Sequence, residues 1–138
     1  MVLIVAGPFE VAVTALGRIR LSLGDKLGLI PEGKYKFLWI TEFPLLEKNE
    51  EDSRWQAAHH PFTSPVARHA HLLESEDESD KALIRARAYD LVLNGVELAS
   101  GSVRIHEREL QDKMFRLLDL SVEQAEVKFG FLLEAFEY

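Results

Sequence analysis

Three charged residues stand out from an otherwise apolar stretch, residues 88–106, AYDLVLNGVELASGSVRIH: Asp90, Glu97 and Arg104. Two carboxylates at neighbouring points of a sheet can share a hydrated cation, or a cation carrying phosphate oxygens. A guanidinium beside them can grip a carboxylate or phosphate through two parallel charge-assisted bonds. Whether the three meet depends on the strands that carry them. Asn94-Gly95 is the dipeptide that most readily adopts the two positive φ angles of a type I′ hairpin turn. Pairing Leu93 with Val96 sets Val92 opposite Glu97 and Asp90 opposite Ala99. Asp90 and Glu97 then become diagonal neighbours on one face, on the order of 7–8 Å apart.

That face has two readings. One is a solvated side of an antiparallel sheet, where acids are ordinary. The other is a lined cleft, which Val92 and Ala99 on the same face favour. Arg104 follows Glu97 by seven positions, and strict alternation sends it to the opposite face. Ser100-Gly101-Ser102 lies between them, and a glycine inside a strand is a common place for a β-bulge. A bulge at Gly101 brings Arg104 to the side of the acids.

A second stretch, WQAAHHPFTSP over residues 55–65, holds adjacent histidines, which on a strand point to opposite faces. Their spacing does not suggest zinc, because no cysteine or close acidic partner completes a tetrahedral set. His69 and His71 fall in a segment read as a mobile polar connection, and residues 74–80 as a solvated acidic loop. Residues 47–53, EKNEEDS, read as a solvated turn.

The elements around these stretches follow from periodicity. Residues 2–6 read as a short buried strand. Residues 9–23 read as a helix with Ala12, Leu16, Ile19 and Leu23 on one stripe and Gly24 as its stop. Pro31-Glu32-Gly33 is the natural linker. Residues 36–43 read as a strand buried on most sides, with Phe37, Trp39 and Thr41 on one face, ending at Pro44. Residues 107–118 make a helix whose stripe is Leu110, Met114, Leu117 and Leu118. Ser121-Val122-Glu123-Gln124 is a capping box opening a last helix, residues 122–138, with Ala125, Phe129, Leu132, Leu133 and Phe136 turned inward. Strands, hairpin and helices in this order give an α+β layout, helices on an antiparallel sheet.

Composition excludes several classes. The chain has 138 residues, no cysteine and a net charge of -7. A disulfide scaffold and thiolate chemistry are ruled out, and so is a nucleic-acid surface built on this acidic segment alone. No apolar run approaches the roughly 20 residues of a membrane span, and the first residues lack the basic flank of a signal peptide. A cytoplasmic protein is the expectation.

The runs FLWITEFPLLE, RWQAAHHPFTSP, AYDLVLNGVELASGSVRIH and LQDKMFRLLDLSVEQAEVKFGFLLEAFEY together resemble bacterial-type aspartyl-tRNA synthetases, in order and over essentially the whole chain. Related class II synthetases for lysine and asparagine share the acidic hairpin but differ at GSVRIH and AAHHPFTSP. The resemblance implies that residues 1–31 are the tail of the bacterial-type insertion domain. Residues 32–138 would be part of the class II catalytic core, without motifs 1, 2 and 3 or the anticodon-reading OB-fold. It implies ATP and Mg²⁺ as cofactors, and L-aspartate and tRNA as partners of a homodimeric parent. Asp90 and Glu97 would be metal ligands, with Glu97 also at the ATP site; Arg104 and His59 would bind the aspartate side chain, and Ser100 is a weaker oxygen ligand. No side-chain nucleophile is called for. Three identities stand side by side: a fragment of an aspartate–tRNA ligase, inactive alone; a free-standing paralogue binding aspartate or nucleotide without aminoacylation; and a structural remnant with no ligand.

Overall fold

A computed structural model describes residues 2–49 and 51–136. The chain divides into two compact units, Met1–Tyr35 and Lys36–Tyr138. In the first, helix α1 spans Phe9–Lys26, and its stripe leaves no residue fully buried. The helix runs through Gly24, the expected stop, to Lys26, and Gly28 just beyond it has the left-handed φ of 62°. Gly28 N–H donates to Asp25 O at 3.0 Å and Leu29 N–H to Gly24 O at 2.9 Å. This is the Schellman pairing that caps orphan carbonyls, and a left-handed glycine makes it without strain. Residues 2–6 form no strand. A strand needs a ladder partner, and Val2 and Ile4 remain 85% and 87% exposed.

The second unit holds a three-stranded antiparallel sheet in the order β1-β4-β5 and a separate two-stranded ribbon, β2-β3. The strands are β1, Phe37–Thr41; β2, Leu46–Lys48; β3, Trp55–Ala57; β4, Ala88–Leu93; and β5, Val96–Ser102. The helices are a 3₁₀ turn, Ala67–Glu74; α2, Glu78–Leu83; α3, Arg108–Leu117; and α4, Val122–Ala135. The sheet with flanking helices is the expected α+β class.

Several local expectations are corrected. Strand β1 is exposed on both faces along its whole length, because β4 covers only one edge of it and burial depends on what lies above and below a strand. The turn after Pro44 is shorter than expected: Glu47 and Lys48 belong to β2, paired with Gln56 and Trp55. The acidic loop contains α2, capped where Asp77 Oδ1 accepts the Ser79 N–H at 2.8 Å. The histidine segment is ordered too. His69 Nδ1 accepts the Arg85 N–H at 3.1 Å, and Leu73 is buried.

Two cores hold this unit. One gathers Leu45, Leu46, Ile84, Ile105 and Met114 under the 3₁₀ turn. The other is aromatic: Phe62 lies 5.7 Å from Phe115 and 5.4 Å from Phe129, both edge-on. The capping box at Ser121 forms in full, with Ser121 Oγ accepting from Gln124 N and Gln124 Oε1 accepting from Ser121 N. It starts α4 at the angle that lays Ala125 and Phe129 on Phe62. Glu137 and Tyr138, expected in this helix, lie outside the described residues.

Candidate substrate and metal site

The β4–β5 hairpin turns at Asn94 and Gly95, with φ of 50° and 85°, both positive as a type I′ turn demands. Asn94 also fastens the turn to the chain entering β1. Its Oδ1 accepts the Lys36 N–H at 2.9 Å and its N–H donates to Lys36 O at 3.0 Å.

From the turn, Leu93 pairs with Val96 and Val92 with Glu97. The register then slips: Leu91 pairs with Ala99 and Asp90 with Ser100, leaving Leu98 as the extra residue. The irregularity therefore lies at Leu98, three positions before Gly101, where the sequence pointed. Two consequences follow from side-chain alternation. Ala99 moves to the face opposite the acids, and Ser100 takes its place across from Asp90. Beyond the bulge Ser100 and Ser102 share parity, so Asp90, Val92, Glu97 and Ser100 belong to one side of the hairpin, and Arg104 follows two residues after its end.

Gly101 has a different task. It pairs with Tyr89, and a Cβ there would sit 2.7 Å from the Tyr89 hydroxyl oxygen. The bare glycine lets the Tyr89 ring lie over the backbone and meet Trp39 edge-on at 5.7 Å. This contact is on the face away from the acids.

Past Ser102 the chain leaves β4 and pairs with the histidine stretch. Ser64 N–H donates to Val103 O at 2.8 Å, Ile105 N–H donates to Phe62 O at 2.7 Å, and Thr63 bridges Arg104. Phe62, 1% exposed, anchors that loop; truncating a buried phenylalanine costs about 3–5 kcal/mol. The loop and Arg104 are thus held together by backbone and core.

The two histidines differ. His59 is exposed and packs edge-on against Phe43 at 5.3 Å. His60 sits against Phe62 and Phe129 at 5.7 and 6.1 Å, and its Nδ1 accepts the Phe62 N–H at 3.2 Å. Burial, and secondarily the Arg104 guanidinium, lower its pKa from the usual histidine value. A neutral His60 with Nδ1 as acceptor carries its proton on Nε2. His60 thus feels the Arg104 charge, which its place in the sequence did not signal. Gln111, also missed, is buried on α3 and donates to the Pro61 carbonyl at 3.0 Å. Its signal was a polar residue at a core phase, four after Glu107 and three before Met114.

The side chains of Asp90, Glu97 and Arg104 make no hydrogen bond or ion pair among the described residues. No group of three or more His, Asp or Glu gathers as a cation cage there either. Two carboxylates on one strand face are a hard-oxygen set of the kind that suits Mg²⁺, which ordinarily takes one or two carboxylates and completes its shell with phosphate oxygens and water. The donor set therefore fits a magnesium nucleotide better than a bare cation. Glu42, at the end of β1, is not part of it. Its carboxylate is paired with Arg68, whose hydrogen bond and charge lower its pKa.

A family model described as tRNA synthetases class II (D, K and N) matches residues 13–138. The aspartate–tRNA ligase of Geobacillus kaustophilus is 55% identical over 138 residues, all of this chain and 23% of the relative. The aspartate–tRNA(Asp/Asn) ligases of Geobacillus sp. (strain WCH70) and Syntrophomonas wolfei are 56% and 52% identical over the same shares. The chain thus spans less than a quarter of the length of these curated relatives. With a model matching nearly all of it and an antiparallel sheet bearing the acids, the chain belongs to the class II tRNA synthetases of the D, K and N group.

Proposed function

We propose that this chain is a segment of an aspartate–tRNA ligase and supplies the part of its active site that binds the aspartate side chain and the magnesium nucleotide. The observation that supports this most is the uncommitted trio: Asp90 and Glu97 share a side of the hairpin, Arg104 follows its end by two residues, and none of the three forms an ion pair with other described residues. Charged groups left without a protein partner on an otherwise apolar hairpin are suited to a ligand.

In this reading Asp90 and Glu97 hold Mg²⁺, and Glu97 also lies beside the nucleotide. Bound Mg²⁺ supplies charge neutralisation at the phosphate oxygens. Arg104 forks onto the side-chain carboxylate of L-aspartate, and its fixed planar geometry prefers that group over an amide. His59 assists it. The reaction joins the aspartate α-carboxylate to the α-phosphate of ATP, releasing pyrophosphate, and then passes the aspartyl group to a hydroxyl of the terminal ribose of tRNA, releasing AMP. These residues contribute alignment and electrostatic stabilisation, with no covalent enzyme intermediate. Residues 1–31 are read as the tail of the insertion domain and 32–138 as part of the catalytic core. The boundary between compact units, after Tyr35, lies close to that division. The whole protein is read as a cytoplasmic homodimer whose tRNA contacts lie mainly in other segments.

The test is a chimera in which the matching part of the Geobacillus kaustophilus ligase is replaced by this chain. Aspartate-dependent exchange of pyrophosphate into ATP by the chimera is the expected result. A folded chimera that binds neither aspartate nor Mg²⁺·ATP contradicts the reading.

A further inference from the structure

Gln111 is 3% exposed on a helix otherwise buried through Met114 and Phe115. Its Nε2 donates to Pro61 O, while its Oε1 is buried with no partner among the described residues. Leaving a buried acceptor unpaired is destabilising, so an apolar side chain would suit the core better at this phase. The amide is explained by the one bond it makes.

That bond falls where the backbone ladder stops. The pairing of residues 62–64 with 103–105 ends at Phe62, whose carbonyl accepts the Ile105 N–H. The Phe62 N–H, which would make the next rung, donates instead to His60 Nδ1. Next along the chain are His60, tied through Nδ1 to the Phe62 N–H, and His59 on Phe43. α3 begins four residues after Arg104, so Gln111 reaches back from the Arg104 side of the site to the histidine side.

We propose that Gln111 is a positioning residue: its amide grips the Pro61 carbonyl just beyond the last rung of the ladder and thereby holds the His59–His60 turn in register with Arg104. The catalytic consequence rests on the function proposed above, whereas the mechanical one does not.

Two variants in the chimera test it. Gln111→Met keeps the volume and loses the donor; Gln111→Asn keeps the amide but is one methylene too short. The first readout is hydrogen–deuterium exchange of the peptide spanning residues 59–66, which should quicken about five- to tenfold, the effect of losing one ordinary hydrogen bond. Peptides from α4 and from the Leu45 core should be unchanged. The second is kinetic: the KM for aspartate should rise about five- to tenfold while the KM for ATP stays put. Unchanged exchange in residues 59–66 overturns the proposal. So does faster exchange everywhere with activity falling only as the folded fraction falls, the mark of a merely structural glutamine. If the unsubstituted chimera activates no aspartate, the functional reading fails, and the loop's exchange rate still decides whether Gln111 holds the turn.

Discussion

The two antiparallel hairpins use their charges in opposite ways. In the β2–β3 ribbon nearly every polar group has a protein partner. Glu78 of α2 accepts from Trp55 Nε1 at 2.7 Å and is paired with Lys48 at 2.9 Å and Lys81 at 3.0 Å. Gln56 donates to Glu47 at 2.8 Å, and Arg54 is paired with Asp52. In the β4–β5 hairpin the acids and the arginine have none. Both regions carry acidic groups within reach of solvent, so exposure does not separate them. What separates them is partnership: one set of charges holds the fold, and the other is left for a ligand.

The sharpest way to break this contrast is at Arg104. In the chimera, Arg104→Lys keeps the charge and loses the fork, a difference of about 1.5–3 kcal/mol for charge-assisted bonds. The KM for aspartate should rise about 10- to 100-fold, with the KM for ATP nearly unchanged. Equal rises for both substrates would mean that Arg104 acts as a general positive charge. Asp90→Asn comes next. Exchange activity should fall on the order of 100-fold at fixed Mg²⁺ and recover in part when Mg²⁺ is raised, as loss of one of two metal ligands requires. No dependence on Mg²⁺ would remove Asp90 from the metal.

Smaller effects test the structural side. Gly101→Ala forces the Tyr89 ring off the backbone, and overpacking of this kind costs about 1–3 kcal/mol. Denaturant unfolding should register that loss, and a Tyr89→Ala background should relieve most of it. The mildest prediction concerns acid. Glu78 has its carboxyl pushed down to about 2 from 4.5, first by its hydrogen bond from Lys48 and then by those from Lys81 and Trp55. A depressed carboxylate contributes stability that is complete above its unfolded value and fades as pH falls from 4.5 toward 2. Because Glu78 is exposed the effect is modest. Glu78→Gln should flatten the fall of the melting temperature across that window and change little at pH 7.

The parts legible in the sequence were those coded by neighbouring residues. Asn94-Gly95 specifies its turn by itself, and Ser121 to Gln124 specify a helix start. The family likeness likewise rests on contiguous runs. What escaped depended on contacts distant in sequence. The bulge was expected at Gly101 because glycine tolerates one, but that glycine makes room for Tyr89 across the strand pair, and the extra residue is Leu98. β1 reads as buried because it is apolar on both sides, yet exposure depends on which elements lie over it. α2 hid inside an acidic run, since a cap from Asp77 and the grip of Glu78 on Lys48 and Trp55 stabilise a helix too short for periodicity to reveal. Of the candidate site, the acids and Arg104 were legible from types and spacing. The roles of His60 and Gln111 were not, because both depend on how α3 and α4 pack around Phe62.

The central claim is that uncommitted carboxylates serve the ligand and partnered ones serve the fold. Pyrophosphate exchange by the chimera carrying Glu97→Gln, set beside the chimera carrying Glu78→Gln, tests it most directly. The account predicts that Glu97→Gln abolishes most of the aspartate-dependent exchange while Glu78→Gln keeps it near the unsubstituted rate. Retained exchange with Glu97→Gln, or an equal loss in both, would contradict it.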